Sequence, residues 1–374
     1  MTARKLFAKI HLWLSIPLGL IISVICFSGA MLVFEKDIAG LLHRELYRVE
    51  VPDGAEAMRP SELARRVMEQ MPDTLRISAM QYSGRSDEAC MVSFANAGRK
   101  SLSVNPYTGQ VNGWVEASTF FSTMRKLHRW LLDPPPSKGE KSAGKVVVGV
   151  TTLIMVIILV SGVAIWVPRS YRAMKNRLGV SVSKGWRRFW YDVHVSLGFY
   201  ATIFLLVMAL TGLTWSFGWY RDAAYGLFGG ARQQPSAGHA SVTAVRNGGK
   251  TAGKGGETFS YAVWDKALDG VKDMYGKYKS VKLGRGNVQV QPDPDSHMRK
   301  TDTVAFDTET GALDKVTAYG ELPRSQTLKG WFYAFHTGSW GGMLTKTLYF
   351  LAALIGGLLP LTGYYLWLKK RFGK

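Results

Sequence analysis

Cysteine is nearly absent from the 374-residue sequence, which has only Cys26 and Cys90. One lies in an apolar run and the other in a polar segment, so no disulfide framework is expected. Charge is missing from four long stretches. Residues 12–34, 146–167, 193–217 and 348–368 contain no Asp, Glu, Lys or Arg. Ion-coupled transport through such spans is not expected, because it relies on intramembrane ionisable groups. No Gly-x-Gly-x-x-Gly follows a strand-like run and no Walker A motif occurs. A built-in dinucleotide or nucleoside triphosphate site is therefore not expected.

The uncharged stretches are long enough to cross a bilayer, which takes about 20 residues of helix. Mean hydropathy over the whole chain is near zero only because polar segments alternate with these runs. The first run does not read as a cleaved signal peptide. It is too long, and Glu35 and Lys36 follow it rather than a small-residue cleavage site. Basic residues set the expected orientation. Arg4, Lys5 and Lys9 precede span one, seven more fill residues 168–192, and Lys369, Lys370, Arg371 and Lys374 follow span four. Asp192 is the only acid in these segments, so they are expected to face the cytoplasm. The net charge of +20 thus reads mainly as a topology signal, with the lipid bilayer as partner and no nucleic acid.

The expected organisation is a membrane α-helical fold, a four-helix transmembrane bundle with two α+β domains on the far side. Residues 1–34 form span one, 35–145 the first outer domain, and 146–167 span two. Residues 168–192 form a basic loop and 193–219 span three. Residues 220–346 form the second outer domain, and 347–374 span four with a basic tail. In the first outer domain a helix is expected from Pro60 to about Met71 with Ser61 as its N-cap. Strands are expected at 75–82, 89–95, 101–104 and 111–115. In the second, a helix is expected at 259–275 and strands near 279–283, 288–291, 302–306 and 313–317. Residues 229–256, rich in Gly, Ser, Ala and Gln, read as a linker.

The two halves read as a tandem repeat of one two-span unit. His11 precedes Gly29 by the same interval as His194 precedes Gly212, and each glycine follows a hydroxyl residue, Ser28 or Thr211. Ser161-Gly162 before Trp166 matches Thr362-Gly363 before Trp367. His11 and His194 open spans one and three, while His128 and His336 precede spans two and four. One matched histidine pair is expected near each face. The 23 residues of the first run extend roughly 35 Å as a helix, so four ligands split this way cannot close one tetrahedral metal site. A neutral imidazole is a strong axial ligand for haem iron, and two of them hold a b-type haem without covalent attachment. Covalent c-type attachment is excluded, because there is no Cys-x-x-Cys-His motif. Gly19, Gly29, Gly162, Gly198, Gly212, Gly356, Gly357 and Gly363 read as sites of close helix approach or as room for a flat macrocycle. Arg125, Lys126, Arg129, Arg187 and Arg188 lie near the histidines and are candidate partners for propionates. His43, His239 and His297 read as structural or solvent-facing.

These motifs resemble the PepSY-associated transmembrane family, which includes iron-regulated inner-membrane proteins and ferrisiderophore reductases. The resemblance rests on His336-Thr337-Gly338-Ser339-Trp340-Gly341-Gly342, Leu127-His128-Arg129-Trp130-Leu131, and the closing helix with Gly356-Gly357 and Thr362-Gly363-Tyr364. Val104-Asn105-Pro106-Tyr107-Thr108-Gly109 and Phe306-Asp307-Thr308-Glu309-Thr310-Gly311 look like turns of PepSY domains. The resemblance implies a di-haem oxidoreductase of the bacterial inner membrane, with both termini cytoplasmic, that reduces ferric siderophores in the periplasm. It implies His11 and His194 as axial ligands of an inner haem iron, and His128 and His336 as those of an outer one. The electron donor is expected to be a quinol or a cytoplasmic flavoprotein. One spacing departs from the pattern. His128 lies 34 residues before Gly162, whereas His336 lies 27 before Gly363, and Asp133-Pro134-Pro135-Pro136 falls in the longer stretch. Two other readings stay open. One is a haem-free PepSY scaffold or regulator of periplasmic peptides or proteases, and the other is an accessory subunit of siderophore or haem uptake.

Overall fold

The structure, a computed structural model, describes residues 2–98, 100–137, 140–230, 259–292 and 300–372. Almost all of the proposed linker, and both His239 and His297, lie outside them. The chain begins with α1 (Ala3–Val33), α2 (Glu35–Leu42), α3 (Arg44–Tyr47) and α4 (Pro60–Glu69). Strands β1 (Ile77–Ser83), β2 (Cys90–Phe94), β3 (Ser101–Val104) and β4 (Val111–Val115) follow. Helices α5 (Thr119–Trp130) and α6 (Ala143–Trp166) close the first half. After α7 (Tyr171–Leu178), the second half opens with α8 (Trp186–Asp192), which runs through a π-helical turn, Val193–Leu197, into α9 (Gly198–Ser216). It continues with α10 (Gly218–Leu227), α11 (Ala262–Tyr275), β5 (Ser280–Gly284), β6 (Asn287–Gln291), β7 (Asp302–Phe306) and β8 (Leu313–Thr317). Helices α12 (Arg324–Thr337) and α13 (Gly342–Phe372) end it. The order of spans, helix, four strands and histidine helix in the first half recurs in the second.

Among the described residues four helices are long and apolar enough to cross a membrane: Ala3–Val33, Ala143–Trp166, Trp186–Ser216 and Ser339–Phe372. The chain is a membrane protein. The helices outrun the uncharged stretches because helix-forming Lys, Arg and Leu continue the backbone past the apolar limit. His11 therefore lies well inside α1. In the bundle α1 packs against α6 and α13, and α9 against the same two helices. Ile22, Cys26, Met155, Ile158, Leu159, Ala201, Leu205 and Ala352 form its centre. Leu20, Ile157, Val160, Ile203 and Leu351 point outward, the distribution expected where lipid replaces water.

The second compact unit comprises, among the described residues, 36–98, 100–117, 259–292 and 300–330. Each half supplies one packed helix and four strands, and the strands pair into a single antiparallel sheet of order β4-β3-β2-β1-β5-β6-β7-β8. The junction pairs Met80 with Leu283 and Tyr82 with Val281. Leu63 and Val67 of α4 and Trp264, Leu268 and Val271 of α11 bury one face of this sheet. Two separate cores would each rest on a four-stranded sheet and one helix; joining them covers both inner edges and removes two exposed strands. Ser61 is not the cap of α4. Arg59 occupies the N-cap position with Pro60 next to it, where a missing N–H costs nothing. The Ser61 N–H and Oγ–H instead donate to Asp265 in α11, at 2.8 and 2.5 Å. A carboxylate from the second half thus caps a helix of the first.

Candidate functional site

Each of the four matched histidines docks on the backbone of another helix in the same way. His11 Nδ1 lies 3.0 Å from the carbonyl of Ile158 and 3.3 Å from Ser161 Oγ. His194 Nδ1 lies 3.1 Å from the carbonyl of Leu359 and 2.8 Å from Thr362 Oγ1. His336 Nδ1 reaches the carbonyl of Met208 at 2.9 Å and Thr211 Oγ1 at 3.3 Å. His128 Nδ1 reaches the carbonyl of Ile25 at 2.8 Å. A carbonyl oxygen only accepts, so Nδ1 carries the proton in every case. The neutral ring then has its Nε2 lone pair free for a metal. This is the outer-shell arrangement that orients metal-bound histidines.

Every acceptor carbonyl stands four residues before a glycine and three before a hydroxyl residue. Ser161 and Thr362 donate to the same carbonyls, Ile158 and Leu359, each at 2.8 Å. Their oxygen lone pairs are thereby left facing the imidazole N–H. The glycines are the floor beneath the rings. A Cβ on Gly29 would meet His128 Cε1 at 2.7 Å; one on Gly212, Gly162 or Gly363 would meet the ring of His336, His11 or His194 at 3.1, 3.2 and 3.5 Å. These four glycines admit an imidazole edge rather than a macrocycle. The other glycines serve packing: Gly19 faces Tyr364 and Pro360, Gly198 faces Leu359, and Gly356 and Gly357 face Leu205 and Phe27.

Each ring is oriented within its own half of the chain, and each pair forms between the halves. The rings of His11 and His194 have centroids 6.3 Å apart with planes at 88°. Those of His128 and His336 are 6.0 Å apart with planes at 48°. Metal–imidazole bonds of about 2 Å, with each ring centre about 1.1 Å behind its nitrogen, put two trans imidazoles on one metal roughly 6 Å apart. Both pairs match. The different loops before spans two and four do not disturb this. Leu131 and Leu132 adopt left-handed backbone where the second half uses Gly338, and the longer loop takes up the extra residues. His11 and Gly29, the seat of His128, are separated by 18 residues of α1, about 27 Å of helix axis. Among the described residues no three His, Cys, Asp or Glu side chains gather as a metal cluster. Two-ligand sites without a third protein ligand suit a metal whose other positions a macrocycle fills.

Beside His11 and His194 lies a cavity of about 420 Å³, within the size range of cofactor sites. Its walls are largely apolar, from Leu12 and Ile22 through Phe199 to Leu359 and Trp367. Its cations are Arg4, Arg177 and Lys370. Three of the five basic residues expected beside the rings are engaged elsewhere. Arg188 pairs with Asp192 at 2.9 Å, Arg125 with Glu35, and Arg129 stacks on Trp130. Arg4 and Arg177 both reach the end of α6, at the carbonyls of Ile165 and Trp166, a contact that no spacing in the sequence marked. The π-helical turn that carries His194 has no counterpart in α1 and no signal in the sequence. It is the kind of local widening that often accompanies functional sites. His43 is exposed and lies 3.5 Å from Glu45. Cys26 and Cys90 are both free and buried.

A family model described as the PepSY-associated TM region matches residues 8–370, and the chain belongs to this family. A search of curated proteins finds no match.

Proposed function

We propose that this member of the PepSY-associated transmembrane family is a b-type di-haem oxidoreductase that passes electrons across a bacterial inner membrane to reduce ferric siderophores, or similar ferric chelates, in the periplasm. The observation that carries the reading is the two histidine pairs, each with ring centres about one bis-imidazole metal apart and each with Nδ1 already committed to a backbone carbonyl. His11 and His194 would hold one haem, His128 and His336 the other. Bound haem would supply a one-electron carrier at each end of the bundle.

The chain's own residues do the rest. The carbonyls of Ile158, Leu359, Ile25 and Met208 keep the protons on Nδ1, and the four glycines let the rings sit deep enough to face each other. The apolar walls around His11 and His194 exclude water and so tune potential. The basic segments favour an orientation with both termini in the cytoplasm. The His11–His194 pair then lies on the donor side and the His128–His336 pair on the periplasmic side. Without a nucleotide motif in the sequence, the donor is a quinol or a cytoplasmic flavoprotein. Each ferric centre takes one electron and becomes ferrous, a softer ion that hard oxygen ligands hold less tightly.

The test is a reduced-minus-oxidised spectrum of the detergent-purified protein with haem supplied during expression. A b-type α-band at two haems per chain is expected, followed by reoxidation on adding a ferric chelate. Intact protein with no such band sinks the reading and leaves a haem-free scaffold. A band that ferric chelates do not reoxidise keeps the cofactor and removes the substrate.

A further inference from the structure

The cavity beside His11 and His194 carries a charge imbalance that ligation of iron leaves unused. Arg4, Arg177 and Lys370 line it, and no Asp or Glu does. The two arginines are anchored from behind by neutral groups. Arg4 Nη2 donates to the carbonyl of Ile165 at 2.9 Å, and Arg177 Nη1 donates to those of Ile165, at 3.4 Å, and Trp166. These carbonyls belong to the last turn of α6, where the helix supplies no N–H partner. The guanidiniums thus satisfy a helix end, whose partial negative charge offsets part of theirs, and no carboxylate pairs with either among the described residues. Trp166, a further lining residue, has a buried Nε1–H without an acceptor, one of two such side-chain atoms among the described residues. Its ring is fixed by stacking on Phe199 at 3.7 Å. Buried donors are almost always paired, so the orphan N–H of a lining residue is a donor still lacking an acceptor.

We infer that Arg4, Arg177 and Lys370, with the Trp166 indole N–H, form a clamp for the two propionate carboxylates of the macrocycle held by His11 and His194. The inference rests on the haem reading and adds an orientation. The porphyrin enters edge-on, with its carboxylates toward the end of the bundle that bears both chain termini. Arginine suits this task, because its planar fork meets a carboxylate through two parallel hydrogen bonds. An anionic lipid headgroup presents similar chemistry to the same cations, and the test separates the two sources.

Full-length protein prepared without haem is titrated with haem and with haem dimethyl ester, which keeps the iron chemistry and loses both carboxylates. The bis-imidazole α-band reports binding, in wild type and in a His128→Ala background that isolates the inner site. The ester is expected to bind that site at least roughly tenfold more weakly than haem, since hydrogen bonds to charged groups are worth about one decade or more each. Arg4→Gln and Arg177→Gln weaken haem binding by a similar factor and leave ester binding unchanged, while Arg177→Lys recovers part of the loss. Should His128→Ala fail to fold, the two binding phases of wild type report the same ratio. Equal affinity for haem and ester overturns the clamp and assigns the cations to lipid phosphate or topology alone. A missing bis-imidazole band with both porphyrins overturns the haem reading itself and the clamp with it.

Discussion

His11 and His194 face each other at 6.3 Å with their planes nearly perpendicular, and neither is held by the helix that carries it. His11 leans on Ile158 and Gly162 of α6, and His194 on Leu359 and Gly363 of α13. Each half of the chain therefore aims one ligand, and the site exists only where the halves meet.

The glycine seats form a graded series. Gly29→Ala places a methyl 2.7 Å from the His128 ring, closer than carbon atoms approach, and should empty the outer site. Gly363→Ala meets His194 at an ordinary 3.5 Å and should keep both haems, with a slight gain from helix propensity. Haem content per chain, measured as the pyridine complex, checks this. Loss of haem in the second variant with retention in the first would refute the seating argument.

Histidine replacements should act pair by pair. His194→Ala and His11→Ala each remove about half the haem and leave the same remaining spectrum, whereas His128→Ala and His336→Ala leave the other one. If His11→Ala and His128→Ala left the same spectrum, the pairing across halves would be wrong.

Hydroxyl partners should tune affinity. Thr362 Oγ1 lies 2.8 Å from His194 Nδ1, and Thr211 Oγ1 lies 3.3 Å from His336 Nδ1. Loss of an outer-shell partner typically costs 10–100-fold in metal affinity. Thr362→Val should therefore weaken inner-site haem binding by roughly tenfold or more, and Thr211→Val should weaken the outer site less. Competitive transfer of haem to an apo-globin gives both numbers.

The ring planes predict two distinct electron paramagnetic resonance signatures. Perpendicular imidazoles act equally on the two iron d orbitals that carry the unpaired electron, and this near-degeneracy enlarges the spread of g values. The pair at 88° should show the more anisotropic low-spin signal and the pair at 48° the less. The single-site variants above assign them, and an inverted order would mean that the rings rotate when loaded.

The joined sheet should have a weak point at its seam. Asp265→Ala leaves the Ser61 N–H and hydroxyl unpaired and should cost about 1 kcal/mol, as lost helix caps do. Gly84→Ala drives a Cβ to 1.7 Å from the carbonyl of Tyr278 and should open the β1–β5 seam outright. Hydrogen exchange of the full-length protein should show lost protection in β1 and β5 together. Exchange confined to β1 would argue for two independent domains.

Much of this was legible in local pattern. Uncharged runs revealed the spans, because a bilayer rejects charge over a known length. Alternation marked all eight strands near their observed bounds, and equal spacing singled out His11, His194, His128 and His336. Repeated Ser/Thr-Gly pairs were visible too, but their meaning was not. The carbonyl that holds His11 is 147 residues away in the chain, and the one that holds His194 is 165 away. No local period encodes such distances. The same limit hid the single sheet. Either α+β segment reads as self-sufficient, and only the free inner edges of β1 and β5 made pairing with each other the lower-energy outcome. The sequence by itself determined the elements, the membrane spans and the four imidazoles. Tertiary structure decided which imidazoles meet, because glycine floors and backbone carbonyls on neighbouring helices, rather than anything next to each histidine, set where its ring points.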